Sequence, residues 1–151
     1  MVFVPQAVDA VAPLPVIAAG GINDGRGLAT VLLLGAAGAN IGTRFLASVE
    51  ASLSDGAKRR LVEAPSDETV RIDAPGAVTP SAVSGAAVSV AIAPTTYDPG
   101  SQLDLPSSGQ GAGAIHSVKT AADIVAGLAR SAEESLLRAR ALVVEHGSVG
   151  G

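Results

Sequence analysis

Residues 15–45, PVIAAGGINDGRGLATVLLLGAAGANIGTRF, constrain the fold more than any other part of the chain. Two short apolar runs in this stretch each lead directly into a glycine-containing turn, and a helical pattern lies between them. A strand, a helix and a second strand in this order form a βαβ unit, whose two strands are parallel. The sequence therefore predicts an α/β fold.

The signals within this stretch also predict where its elements begin and end. The first strand is expected over 16–19 and the second over 39–41. Asn23 or Asp24 caps the helix, because either side chain can accept from the amides of the first turn, and Gly35 ends it. The first strand is expected to be buried on both faces, as is usual for parallel strands.

Helices are also predicted on both sides of the βαβ unit. Valines at helical spacing indicate a short helix over 4–11. Another short helix is expected to begin near Arg44, and a third covers 55–63. Three consecutive basic residues of this third helix are predicted to face solvent, namely Lys58, Arg59 and Arg60.

The segment 65–113 has a different character, because six of the nine prolines interrupt it. Helices longer than a turn or two are not expected between these prolines. Residues 83–93 are predicted to supply one strand at most, so the segment is interpreted as a long irregular stretch, either a lid or a poorly ordered excursion. Three regions follow from this division, namely 1–64, 65–113 and 114–151.

The last region contains a long helix. Thr120 and Asp123 form a variant of the capping box at its start, and Gly147 is expected to end it. The predicted core-facing stripe of this helix consists of Ile124, Val125, Leu128, Ala132, Leu136 and Leu137.

Composition excludes several classes of function. A net charge of −4 and a pI near 5.0 argue against nucleic-acid binding, which needs a basic patch. The chain has no cysteine, so disulfides and thiolate chemistry are excluded, and no metal ligands are assigned. The apolar runs are shorter than the roughly 20 residues of a membrane helix. Because the N-terminus lacks the basic residues of a secretory signal, a cytoplasmic protein without a membrane partner is expected.

The two strand-to-helix turns are the strongest functional signal. In parallel sheets, the turns after adjacent strands lie at one edge, where ligands bind. Backbone amides of Gly20, Gly21, Gly42 and Thr43 could surround a phosphate there, and the helix N-termini would add partial positive charge. Neither turn has a GxGxxG or a Walker A sequence. The alternative interpretation is therefore that these glycines only permit tight turns.

The same residues resemble a known family. Residues 15–48 resemble the flavin-phosphate segment of nitronate monooxygenases, formerly called 2-nitropropane dioxygenases, which are FMN-dependent TIM barrels. SGQGAGAIHSVKTAADIV, residues 108–125, is similar to the closing loop and final helix of the family, and VPQAVDAV resembles the helix before the seventh barrel strand. The resemblance implies a C-terminal fragment of a (β/α)8 barrel containing the last two βα units, followed by the irregular segment and a C-terminal helix.

The resemblance also implies the cofactor and its binding residues. FMN is the expected cofactor, with its phosphate held at the ends of strands seven and eight. Family members often carry Gln and Met where this chain has Asn40 and Ile41, but backbone donors do not depend on those side chains. The implied phosphate-binding residues are Ala19, Gly20, Gly21, Asn40, Ile41, Gly42 and Thr43.

The activity implied by the resemblance is the oxidative denitrification of alkyl nitronates with O2, so the expected partners are a nitronate and oxygen. The family's catalytic histidine lies on earlier strands and matches no residue here. No catalytic residue is therefore assigned, and the chain is expected to be incomplete. One alternative is an FMN-dependent enoyl-acyl-carrier-protein reductase, which shares the phosphate segment. Another is a non-catalytic phosphate-binding module that self-associates through its open sheet edge.

Two polar side chains near the proposed phosphate site allow more than one interpretation. Arg44 follows the second turn, where it would either neutralise the phosphate or form an ion pair at the surface. His116 lies in the matched closing loop and is predicted to bond to the backbone rather than to approach the cofactor.

Overall fold

The computed structural model describes residues 2–64, 69–72, 89–92 and 110–147. It is an α/β structure, as predicted. The described chain forms two compact units, one within residues 1–41 and 121–151 and the other within 42–120. The elements in order are α1 (Phe3–Val11), β1 (Ile17–Ala19), α2 (Gly25–Leu33), β2 (Gly38–Asn40), α3 (Thr43–Leu46), α4 (Asp55–Glu63), β3 (Thr69–Ile72), β4 (Ser89–Ile92), a 3-10 helix (Gln110–Ala114) and α5 (Ala121–Gly147).

The first unit contains the predicted βαβ arrangement. β1 and β2 are parallel, with α2 between them in sequence, and Ala18 pairs with Ala39 at the centre of the register. At the carboxyl ends of the strands, Ala19 pairs with Asn40. The two strands therefore end side by side at one edge of this small sheet.

Local signals fix both ends of α2. The Asp24 carboxylate accepts a hydrogen bond of 2.9 Å from the Gly27 amide, so Asp24 rather than Asn23 is the cap. After the helix, Gly35 has a φ of +92°, a left-handed conformation that favours glycine. Both predictions for α2 are confirmed, because each depends on residues that are close in sequence.

The apolar core of the first unit lies between its sheet and its helices. Its buried members are Ala18, Ile22, Val31 and Ala36, with Val4, Leu28, Ala39 and Ile41 packed around them. α2 also crosses α5 closely at Gly25, where an added Cβ would overlap the backbone at Ser131 and Ala132. Glycine at this position thus permits the contact between the two helices.

The prediction that the first strand is buried on both faces is wrong. Ala18 is buried, but Ile17 is 57% exposed and Ala19 is also exposed. Side chains alternate between the two faces of a strand, and the core of this unit covers only the face that carries Ala18.

α5 is confirmed as a long helix, but its buried stripe is narrower than predicted. Ile124, Leu128 and Ala132 are buried, whereas Val125 and Leu137 are exposed. α2, the helix that packs on α5, has nine residues and is therefore only about 13 Å long, so it covers a short and narrow strip. Among the described residues, no helix combines the length and apolar character needed to cross a membrane.

The second unit is built around a separate apolar cluster, formed by Ala47, Leu61, Ala64, Ala112 and Ile115. The short helix near Arg44 and the helix over 55–63 are confirmed as α3 and α4. Ser54 caps α4, accepting from the Ala57 amide at 3.2 Å.

The solvent-facing position predicted for Lys58 is wrong. Lys58 is 7% exposed, and its ammonium donates a hydrogen bond of 3.0 Å to the Val49 carbonyl. Ala57 and Leu61 are buried on the same helix, so the inward face of α4 extends far enough to include the stem of Lys58. Arg59 is exposed, as predicted.

The segment 65–113 is more regular than predicted. β3 pairs antiparallel with β4, with Thr69 opposite Ile92 and Ile72 opposite Ser89. The strand expected within 83–93 corresponds to β4, but β3 was not predicted, because four residues are too few to show a clear alternation. The lid or excursion expected elsewhere in this segment lies outside the described residues. The three-region division stays a prediction.

Candidate cofactor-phosphate site

The carboxyl end of β1 leads into a turn made by two glycines. Ala19 is the last residue of the strand, and Gly20 and Gly21 follow with φ values of +93° and +70°. Two successive residues in the left-handed region strongly favour glycine, because a Cβ would crowd the adjoining backbone carbonyl oxygen of the chain itself. Turns of this kind can direct backbone amides toward an anion.

The space beside this turn is open. A Cβ built at Gly20 or Gly21 would meet no heavy atom within 4 Å. No described residue therefore packs against the Cβ side of these two glycines, which leaves room beside the turn for a ligand. This open approach is what a phosphate bound by backbone amides requires, so the residues present fit the phosphate of FMN.

The end of β2 lies beside this turn within the first unit. Asn40, the last residue of β2, pairs with Ala19, and its side chain is exposed. Ile41 follows the strand, and its side chain packs against the apolar core of the unit. The structure thus places the first five predicted site residues at one edge of the sheet, with the Ile41 side chain partly buried.

Gly42 and Thr43 open the second unit of the chain. Thr43 is the first residue of α3, and the Gly42 carbonyl accepts hydrogen bonds from the amides of Phe45 and Leu46. Gly42 has a φ of −94°, which other residues also adopt, and an added Cβ would meet nothing within 4 Å. Neither the backbone conformation nor packing requires glycine at position 42.

The N-terminus of α2 carries a carboxylate of its own. The Asp24 carboxylate accepts a hydrogen bond from the Gly27 amide and forms an ion pair of 2.6 Å with Arg26. Burial acts to raise the pKa of Asp24, but the hydrogen bond from Gly27 and the Arg26 guanidinium outweigh it and lower the pKa below its usual value. A carboxylate at the helix terminus opposes a second anion, so phosphate binding would depend on the glycine turn instead.

Arg44 is not a surface residue. Its side chain is buried, and its guanidinium donates a hydrogen bond of 3.1 Å to the Ser117 carbonyl. Burial lowers the pKa of Arg44 from its ordinary value. The predicted surface ion pair is therefore wrong. Instead, Arg44 connects α3 to the closing loop, in which the His116 side chain is exposed.

The contact between α3 and the closing loop continues through the backbone. Ser48 and Lys119 form a parallel bridge, with the Val49 amide donating to the Lys119 carbonyl at 2.9 Å. No local sequence pattern indicates that these two segments touch, since Arg44 and Ser117 are 73 residues apart.

Comparisons with known proteins identify what the chain is similar to. A family model described as nitronate monooxygenase matches residues 1–77. Over 70 residues, the chain is 51% identical to the (3aS,4S,5R,7aS)-5-hydroxy-7a-methyl-1-oxo-octahydro-1H-indene-4-carboxyl-CoA dehydrogenase of Mycobacterium tuberculosis, covering 45% of this chain and 20% of that protein. Over 64 residues, it is 53% identical to nitronate monooxygenase npaC of Metarhizium robertsii, covering 41% of this chain and 18% of the relative.

A solved structure is similar over a longer part of the chain. An M276A mutant of FabK from Thermotoga maritima matches 93% of this chain with a TM-score of 0.74 and 28% sequence identity. The match covers 49% of the FabK chain. The chain therefore spans about half of this structural neighbour, and its matched segment spans about a fifth of the curated relatives.

Proposed function

The chain belongs to the nitronate monooxygenase family, and from this premise we propose that it supplies the FMN-phosphate site of a flavin-dependent oxidoreductase. The observation that carries the proposal is the turn after β1. Gly20 and Gly21 are both left-handed and both face open space. Glycines that served only to tighten a turn would not also need an open approach to their backbone.

In this proposal the phosphate is held mainly by backbone amides. A hydrogen bond to a charged group contributes about 1.5–3 kcal/mol, so a few amides suffice for measurable binding. When bound, FMN would supply a redox centre that accepts electrons from an organic substrate. The residues proposed to hold it are Ala19, Gly20, Gly21, Asn40, Ile41, Gly42 and Thr43.

We further propose that β1 and β2 are the last two strands of a TIM barrel whose other βα units carry the catalytic base and the contacts to the flavin ring. The exposure of Ile17 supports this, because the uncovered face of β1 would then meet side chains from the other strands. The proposed reaction is the oxidation of an alkyl nitronate by O2.

Oxygen consumption tests whether the catalytic base lies outside this chain. The purified chain is mixed with FMN and propionate 3-nitronate, and oxygen uptake is followed with an electrode. We expect no uptake above that of FMN alone, because the chain binds the cofactor's phosphate but offers no base to the substrate. Turnover by the chain itself would contradict the proposal that the base lies on other βα units.

A second candidate is an FMN-dependent reductase of enoyl thioesters. It is supported by the 51% identity to a relative named as a carboxyl-CoA dehydrogenase. A longer protein that contains this chain would distinguish the two candidates. Oxidation of NADH in the presence of an enoyl thioester would favour the reductase, and nitronate-dependent oxygen uptake would favour the monooxygenase.

A non-catalytic phosphate-binding module is the remaining alternative. It predicts that inorganic phosphate binds the chain as tightly as FMN does. The flavin-site proposal predicts that FMN binds more tightly, because the ribityl chain adds contacts beyond the phosphate.

A further inference from the structure

α2 and α5 line an open apolar groove in the first unit, and none of its lining residues belongs to the glycine turn. Its volume is about 560 Å³. Leu32 and Leu137 contribute exposed apolar surface to it. The lining residues are Leu28, Leu32, Ala129, Ala132, Glu133, Leu136, Leu137 and Arg140.

Two opposite charges stand on the α5 side of this groove. Glu133 and Arg140 are seven positions apart, which is close to two helical turns, so both lie on the same face of α5. Leu136 and Leu137 lie midway between them. Within the described residues, neither charge takes part in an ion pair.

We propose that this groove binds the same groove of a second copy of the chain, with the two α5 helices antiparallel about a twofold axis at Leu136 and Leu137. Positions equidistant from the axis then face each other. Glu133 meets Arg140 of the partner subunit, and Arg140 meets Glu133 of the partner subunit. The leucines of both copies are buried between these two ion pairs.

Charge complementarity identifies a second copy as the occupant. A twofold contact uses the same surface on both subunits, so a surface that carries one acidic and one basic group on either side of its centre is complementary to itself. A parallel arrangement would instead place Glu133 against Glu133 and Arg140 against Arg140, which is unfavourable. The arrangement brings α2 and α5 of both copies into a four-helix contact.

Sedimentation equilibrium with charge-swap variants tests this proposal. The wild-type chain is expected to dimerise reversibly with concentration. Glu133→Arg and Arg140→Glu, each alone, place like charges at both ends of the contact and should weaken dimerisation at least about tenfold. The double variant restores opposite charges and should dimerise to within about threefold of wild type. Glu134→Arg, on the same helix but outside the groove lining, is the matched control and should dimerise like wild type.

Three results would overturn the proposal. They are a wild-type chain that stays monomeric up to millimolar concentration, single variants that dimerise normally, and a double variant that dimerises no better than the single ones. Association that persists in both single variants would assign self-association to the open edge of the sheet instead. Glu133, Glu134 and Arg140 are exposed, so circular dichroism should show the wild-type spectrum for every variant.

Discussion

Gly42→Glu is expected to weaken phosphate binding without disturbing the fold. At φ −94° and with no atom within 4 Å of an added Cβ, position 42 accepts a larger residue without strain or collision. If the Gly42 amide binds the phosphate as proposed, the new side chain adds a negative charge beside that amide. Gly20 and Gly21 offer no such test, because their left-handed conformation makes any substitution there strained.

The two expected effects of Gly42→Glu have opposite signs. Replacing glycine at a compatible position restricts the unfolded chain and stabilises the fold by about 0.4–1 kcal/mol. For a chain of 151 residues this raises Tm by about 1–4 °C. Losing two charge-assisted hydrogen bonds removes about 3–6 kcal/mol of binding free energy. The Kd for FMN should therefore rise at least about a hundredfold.

Flavin fluorescence titration and thermal unfolding measure these effects in the same samples. Gly127→Glu is the matched control, because it adds the same side chain and charge at a position in α5 where an added Cβ also meets nothing within 4 Å. The control should bind FMN like wild type. The reasoning is refuted if Gly42→Glu binds FMN within about threefold of wild type, or if it unfolds several degrees lower, since the glycine would then be structural.

Three further predictions concern stability, each measured by urea unfolding. Gly25→Ala should lower the free energy of unfolding by about 1–3 kcal/mol, because the methyl group would overlap the α5 backbone, whereas Gly27→Ala on the same helix should raise it by up to about 1 kcal/mol. Equal effects would contradict the close crossing. Asp24→Ala should cost about 0.5–2 kcal/mol at pH 7. Because the folded pKa of Asp24 is lowered, this contribution is present above its ordinary pKa and lost as pH falls below about 4, so the variant and wild type should converge in acid. Lys58→Ala should cost about 1–3 kcal/mol through lost packing and a lost hydrogen bond, and Arg59→Ala should change stability by less than about 0.5 kcal/mol. Similar losses of unfolding free energy in the two variants would contradict the burial of Lys58.

The parts of the fold that the sequence predicted correctly depend on neighbouring residues. Asp24 caps α2 through an amide three positions away, and Gly35 ends that helix through its own φ. The glycine turn after β1 is of the same kind, since the left-handed conformation of Gly20 and Gly21 is a property of the residues themselves. The parallel pairing of β1 and β2 then follows from the connection through α2.

The errors concern side chains whose environment depends on distant parts of the chain. Whether Ile17 is buried depends on which face of the sheet is covered, and a strand sequence does not contain that information. Charge alone places Lys58 on the solvent-facing side of its helix, but its long apolar stem and the Val49 carbonyl allow burial. Arg44 is buried because its guanidinium reaches the Ser117 carbonyl, a contact that no local pattern indicates.

The cap of α2 bears on the proposed phosphate site. A carboxylate that caps a helix occupies the amides and offsets the positive end that would otherwise attract a phosphate. The sequence leaves Asn23 and Asp24 as alternative caps, and only the Asp24 carboxylate favours binding by the Gly20–Gly21 turn rather than by the N-terminus of α2.

Comparing FMN with riboflavin tests the central claim most directly, because the two molecules differ only in the phosphate. Each is titrated with the wild-type chain and followed by flavin fluorescence at low ionic strength. A phosphate site predicts saturable binding of FMN and binding of riboflavin that is at least about a hundredfold weaker, from two lost charge-assisted hydrogen bonds. Equal affinity for the two flavins, or no binding of FMN, would contradict the assignment of this edge of the sheet to the cofactor's phosphate.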